Sequence, residues 1–183
     1  MGIMARLLFR KDETLNAILY VLKMSNGCCD MHKLCKILYF ADQKHLSLYG
    51  RSITGDEYIA MNYGPVPSCV YDIFKAVRGD SYFCGDEFKD IIYFPNKKDV
   101  AAKAKPDMDY LSQSDVECLD YAIEICRDKS FTELTNMSHG YAWNNTMRDR
   151  NISVKDILRE AGDDEGYAEY IARCIEEQKA FSL

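Results

Sequence analysis

The stretch that decides the fold is DMHKLCKILYFADQKHLSLYG, residues 30–50, continued by EYIAMNYGPVPS, residues 57–68. In the first piece Leu34, Ile37, Leu38, Ala41 and Leu48 recur at helical spacing, which predicts a helix over about 31–49 with one buried face. Gly50 supplies a left-handed stop. In the second piece Ile59, Met61 and Tyr63 alternate with Tyr58, Ala60 and Asn62, the period of a strand. Gly64-Pro65-Val66-Pro67 then breaks that strand, because each proline removes a donor and forces its predecessor out of helical geometry. Helix, strand and a rigid corner in succession point to a mixed fold.

Working outward, residues 13–24 carry Leu15, Ile18, Leu19 and Leu22 on one stripe, with Asp12 as cap and Asn26-Gly27 as stop. Ser68 is expected to cap a short helix that buries Val70, Ile73, Phe74 and Val77. Residues 88–94 and 99–105 flank Pro95-Asn96 and read as a hairpin, which with 57–63 makes a small antiparallel sheet. Three capping boxes follow, at Ser112 with Asp115, Ser130 with Glu133 and Ser153 with Asp156. The first opens a helix burying Val116, Leu119, Ile123 and Cys126. The second opens a short helix ending near Gly140. A last helix over 165–179 is expected to bury Tyr167, Ile171, Cys174 and Ile175. The expected class is α+β, mainly α-helical, with about six helices around a small antiparallel sheet of about three strands. Residues 1–150 are expected to form the main domain and 151–183 a C-terminal helical extension packed on it.

Composition sets the outer bounds. A chain of 183 residues can bury about 70% of its unfolded surface and needs no disulfide or metal to fold. Hydrophobic residues at 48% and charged residues at 28% exclude wholesale disorder, a collagen-like chain and a coiled-coil rod. The net charge of -6 excludes a whole-domain basic footprint, so a nucleic-acid partner is not expected. There are 8 Cys, yet residues 1–11 show no secretion signal and no apolar run reaches a membrane span. The expectation is a cytoplasmic protein whose cysteines are thiols, with no cofactor.

Candidate chemistry is sparse. Cys28, Cys29, His32 and Cys35 are four soft ligands within eight residues, but adjacent cysteines bite one tetrahedral ion poorly. The alternative places Cys35 in the core and His32 facing water. His45 follows Asp42 by one helical turn, where a carboxylate orients an imidazole for base work or makes a plain structural bond. His139 stands at a helix end in Ser138-His139-Gly140. No phosphate-binding glycine loop is present. Lys97, Lys98, Lys103 and Lys105 read as a solvated hairpin.

The ordered block Lys33-Leu34-Cys35-Lys36-Ile37-Leu38-Tyr39-Phe40-Ala41-Asp42, then His45, Tyr49-Gly50, Ile53-Thr54-Gly55-Asp56, Tyr63-Gly64-Pro65-Val66-Pro67-Ser68 and Tyr71-Asp72, resembles the Panacea domain of SocA-like antitoxins. An older name for such chains is phage-associated protein GepA. Ser138-His139 with Ala142-Trp143 resembles the family's second, shorter signature. The family pattern often has an acid just after that Ser-His pair, where this chain has Gly140-Tyr141. The resemblance implies a non-enzymatic bacterial or phage antitoxin. Its partner would be a cognate protein toxin from an adjacent gene, masked directly or delivered to a protease. It also implies partner-binding candidates: Tyr63, Gly64, Pro65, Val66 and Pro67 in the corner, and Asp42, His45, Asp56, Asp72, His139 and Trp143 around it. Two other readings stand beside it: a hydrolase-like enzyme built on the Asp42/His45 region, and a DNA-binding regulator of its own operon.

Overall fold

The structure is a computed structural model that describes residues 8–81 and 86–181. In chain order its elements are α1 (Lys11–Met24), β1 (Cys28–Asp30), α2 (Met31–Tyr49), β2 (Tyr58–Met61), β3 (Gly64–Pro67), α3 (Ser68–Arg78), α4 (Asp86–Lys89), β4 (Ile92–Tyr93), β5 (Asp99–Ala102), α5 (Gln113–Cys126), α6 (Phe131–Ser138), α7 (Tyr141–Asn144), α8 (Val154–Ala161) and α9 (Glu165–Phe181). A 3-10 turn, Met108–Tyr110, leads into α5. The class is α+β and mainly helical, as expected. The helical portion is cut into nine α-helices among the described residues, because the short α4 and α7 interrupt what the sequence pattern left as loop.

α2 is the axis of the fold. Every residue from 34 to 42 is buried, so the helix has no solvent face over more than two turns. It is packed on by α1, α5, α6, α8 and β3. A helix that is apolar all round belongs inside a protein. The one-face expectation therefore fails, and Leu48, placed by it in the core, is 54% exposed while Leu46 is buried. Asp30 caps the helix by accepting from the Lys33 amide, and Gly50 ends it at φ 69°. The boxes at Ser112 and Ser130 close as read; at Ser153 the hydroxyl accepts from the Asp156 amide.

The expected single sheet is two sheets. β5 lies between β1 and β4, all antiparallel, so the third strand beside the predicted hairpin is β1. β2 pairs instead with β3, with Ala60 opposite Pro65 and Tyr58 opposite Pro67. The segment read as a corner that breaks a strand is thus itself a strand of a tight hairpin. The reason lies on the far edge of β2. The Ala60 amide donates to the Arg150 carbonyl (3.0 Å), and the Ala60 carbonyl accepts from the Asp149 amide (2.9 Å). The Tyr58 carbonyl accepts from the Ile152 amide (2.7 Å). Those backbone groups point away from β3, so the prolines stand where the ladder asks for no donor.

α3 is capped from a distance. Pro67 precedes it without a side-chain cap, and Ser68 is its first residue. Asp56 takes the capping role instead, accepting from the Cys69 amide (2.9 Å) and the Val70 amide (3.0 Å). α9 buries Ala168 and Ile171, whereas Tyr167, Cys174 and Ile175 are half-buried.

Candidate functional site

The β2–β3 hairpin ends in Asn62-Tyr63, and its tip is held by side chains from α2, from α7 and from His139, which ends α6. A turn leaves carbonyls that normally face water. Here they are taken by protein donors. Trp143 Nε1 donates to the Met61 carbonyl (2.8 Å). The His139 ring lies beside the Asn62 backbone. His32 Nε2 lies 3.2 Å from the Tyr63 carbonyl, which can only accept, so that nitrogen carries the proton. Lys36 Nζ donates to the Pro65 carbonyl (2.8 Å). The turn is thereby fixed before any partner arrives.

Lys36 is the unusual member. It is fully buried, and the bond it makes is to a carbonyl, not a carboxylate. Burial pulls its ammonium down to about 8. Burial and the nearby Lys36 charge also lower both His32 and His139, so both imidazoles are neutral at pH 7. His32 Nδ1 and His139 Nε2 are buried without a hydrogen-bond partner among the described residues. Gly64 makes the packing possible. Its φ is 100°, and an added Cβ would stand 2.3 Å from Ser138 Oγ and 2.6 Å from Lys36 Nζ. Ser138, also buried, donates to the Thr135 carbonyl.

Outward of this hub lies an aromatic rim. His139 stacks on Trp143 at 3.6 Å and 9°. His32 packs on Phe131 (4.2 Å), and Phe131 meets the edge of Tyr63 (5.2 Å). Tyr63 and Phe131 remain 57% and 50% exposed. From behind, Glu160 of α8 accepts from the Ala142 amide (2.8 Å), the Tyr39 hydroxyl (2.8 Å) and Gln43 (2.9 Å). A carboxylate does reach the segment after Ser138-His139, but it comes from a helix well downstream.

Residues 34–144, more than half of the chain, match the family described as antitoxin SocA-like, Panacea domain. The chain belongs to the SocA-like Panacea family. Comparison with curated proteins and with solved structures finds no match. Within the Panacea match lie most of α2, from Leu34 on, with β2 and β3, and α6 with α7; His32, at the start of α2, stands just before it.

The remaining candidates of this Panacea chain lie in four separate places. Asp42 accepts from the Ile53 amide (2.7 Å), the Thr54 amide (3.2 Å), the Thr54 hydroxyl (2.5 Å) and the Tyr58 hydroxyl (2.8 Å). Burial pushes its carboxyl up, against the downward pull of those donors. It pins the loop after α2 and makes no bond to His45. His45, also fully buried, places Nδ1 on the Arg51 carbonyl (2.9 Å) and Nε2 near Ser114 Oγ (3.0 Å) and Asp115 (3.1 Å). Burial pushes Asp115 up, but bonds from His45 and Ser112 and the Arg51 charge outweigh it and hold the carboxyl well below its usual range. Ser114 and Asp115 share one ring nitrogen and a backbone carbonyl takes the other, so the ring is held from both sides. Asp56 caps α3. Asp72 pairs with Lys75 on the surface of α3 (2.7 Å). Asp42 and His45 thus each hold backbone of residues 51–54 and are not hydrogen-bonded to each other.

The cysteines separate as well. Cys28 is exposed and Cys29 buried, as neighbours on a strand must be, and Cys35 lies in the core. His32 is half-buried and turned to the hairpin, not to water. Among the described residues no group of three or more metal-ligating side chains comes together. Burial pushes Cys29 up to about 11 and Cys35 and Cys126 up to about 12, so these thiols are not activated. Among the described residues no helix is long and apolar enough to cross a membrane.

From sequence, residues 63–67, His139 and Trp143 are candidates, with 64–67 expected as a corner instead of a strand and Ser138 only as part of a signature; Lys36, Phe131 and Glu160 are not among the candidates. Only Lys36 left a signal. It is a charge set in Leu34-Cys35-Lys36-Ile37-Leu38-Tyr39, where no face of the helix is polar.

Proposed function

We propose that this protein is an antitoxin that neutralises a cognate protein toxin by direct binding, with the hairpin tip as the centre of the contact. The observation that carries the reading is the side-chain clamp on the turn carbonyls beneath exposed Tyr63 and Phe131. A pre-ordered backbone with aromatic anchors binds at low entropic cost. Residues 151–183 belong to the same domain in this reading, since Glu160 seats α7 against α2. The toxin is expected from an adjacent gene in a bacterial or phage genome.

Co-expression tests it. The toxic neighbour should be rescued by this chain and captured with it. Tyr63→Ala with Phe131→Ala should abolish both while leaving the melting temperature within a few degrees. If the double variant rescues as well as the parent, the tip is not the contact. If toxin levels fall instead and a protease inhibitor restores them, the chain acts as a degradation adaptor.

A further inference from the structure

On the opposite side of the sheet from β1, a cleft of about 670 Å³ opens between the end of α3, α4 and the β4–β5 hairpin. Among the described residues its rim carries Arg78, Lys97 and Lys103, with Lys89 beside them, and the one carboxylate among those lining it is Asp80. On a chain of net charge -6 this is a local reversal of sign. By sequence alone the hairpin lysines read as a solvated turn. The fold changes that by bringing Arg78 and Lys89 from two helices to meet them.

Two of the cations, Arg78 and Lys103, are held in place. The Arg78 guanidinium lies 5.7 Å over the Phe94 ring, its Nε on Asp80 and its other arm donating to the Lys97 carbonyl (3.1 Å). Lys103 lies over Tyr93 at 5.7 Å and donates to the Lys89 carbonyl (2.7 Å). The floor is apolar, with Ile92 fully buried beside Val77. Tyr93 is 41% exposed, so one aromatic surface stays open at the rim.

We propose that this cleft is a binding site for a nucleotide, with the phosphates on Arg78, Lys97 and Lys103 and the flat ring against Tyr93 and the apolar floor. Cations converging beside an aromatic ring suit a ligand that is anionic at one end and planar at the other. The volume is that of a small-molecule pocket. A long polyanion would meet the acidic remainder of the surface, which argues against a nucleic-acid strand. A peptide strand would need a sheet edge, and the edge strand here, β4, has two residues.

Calorimetric titration of the full chain with ATP, inorganic tripolyphosphate and adenosine tests the assignment. ATP should bind saturably, and each of the other two at least about tenfold more weakly, since each lacks one half of the contact. Lys97→Glu and Lys103→Glu, both on exposed side chains, should each raise the ATP Kd about tenfold or more; Lys97→Glu should leave the melting temperature unchanged, and Lys103→Glu, which loses its bond to the Lys89 carbonyl, should lower it by no more than a few degrees. Tyr93→Ala should weaken ATP and leave tripolyphosphate unchanged. The proposal is overturned by no saturable ATP binding up to about 1 mM, or by an ATP Kd indifferent to both charge reversals. Tripolyphosphate binding as tight as ATP would also overturn it, leaving a plain anion patch. So would tighter binding of a single-stranded oligonucleotide that displaces ATP.

Discussion

Replacing Gly64 with alanine tests the hub at its tightest point. Two costs add. A φ of 100° suits glycine, and an L-residue held in the left-handed region costs about 1–2 kcal/mol. The new methyl also stands 2.3 Å from Ser138 Oγ and 2.6 Å from Lys36 Nζ. Relieving that crowding adds about 1–3 kcal/mol. The sum is about 2–5 kcal/mol, or a fall of about 4–20 °C in melting temperature for a chain of this size. Gly79→Ala is the control. Its φ is 83°, but nothing lies within 4 Å of the added methyl, so it bears the backbone cost alone. Thermal and urea melts of both variants, followed by the fluorescence of Trp143, the single tryptophan, separate the two costs. Ser138→Ala removes the nearer obstacle, so the double variant Gly64→Ala/Ser138→Ala should recover part of the loss relative to additivity. Equal melting of Gly64→Ala and Gly79→Ala would refute the close packing of tip, Lys36 and Ser138.

Three further outcomes are expected. Lys36 is held down at about 8 against an ordinary 10.5, so between those values the unfolded chain keeps a proton that the folded chain has lost, and stability rises with pH; referenced to Lys36→Met, that gain should reach roughly 3 kcal/mol in urea melts run across the range. Asp115, held low in the folded state, lends stability that is present above the ordinary carboxylate range and drains away as pH falls through and below it; Asp115→Asn should cost about 3–5 kcal/mol near neutrality and flatten the acid side of the stability profile. Asp56→Ala should cost about 1–2 kcal/mol, and hydrogen exchange should report it first at the Cys69 and Val70 amides that lose their acceptor.

The sequence by itself determined the secondary elements whose causes are local. The boxes at Ser112 and Ser130 close because hydroxyl and acid are three residues apart. The stop at Asn26-Gly27 holds because both residues adopt positive φ. The ordered block from Lys33 to Asp72 also carried the family. What the sequence could not decide is whatever depends on a partner distant in the chain. Gly64–Pro67 pairs with β2 in the register that sets both prolines opposite residues whose backbone bonds go to residues 149–152. α3 is capped from Asp56, Asp42 serves the loop after α2 instead of His45, and the acid behind the Ser138-His139 segment is Glu160. Periodicity reports which side of an element is apolar, not how many neighbours surround it. For α2 that number is what turned Lys36, a surface residue by type, into the buried donor that holds the hairpin.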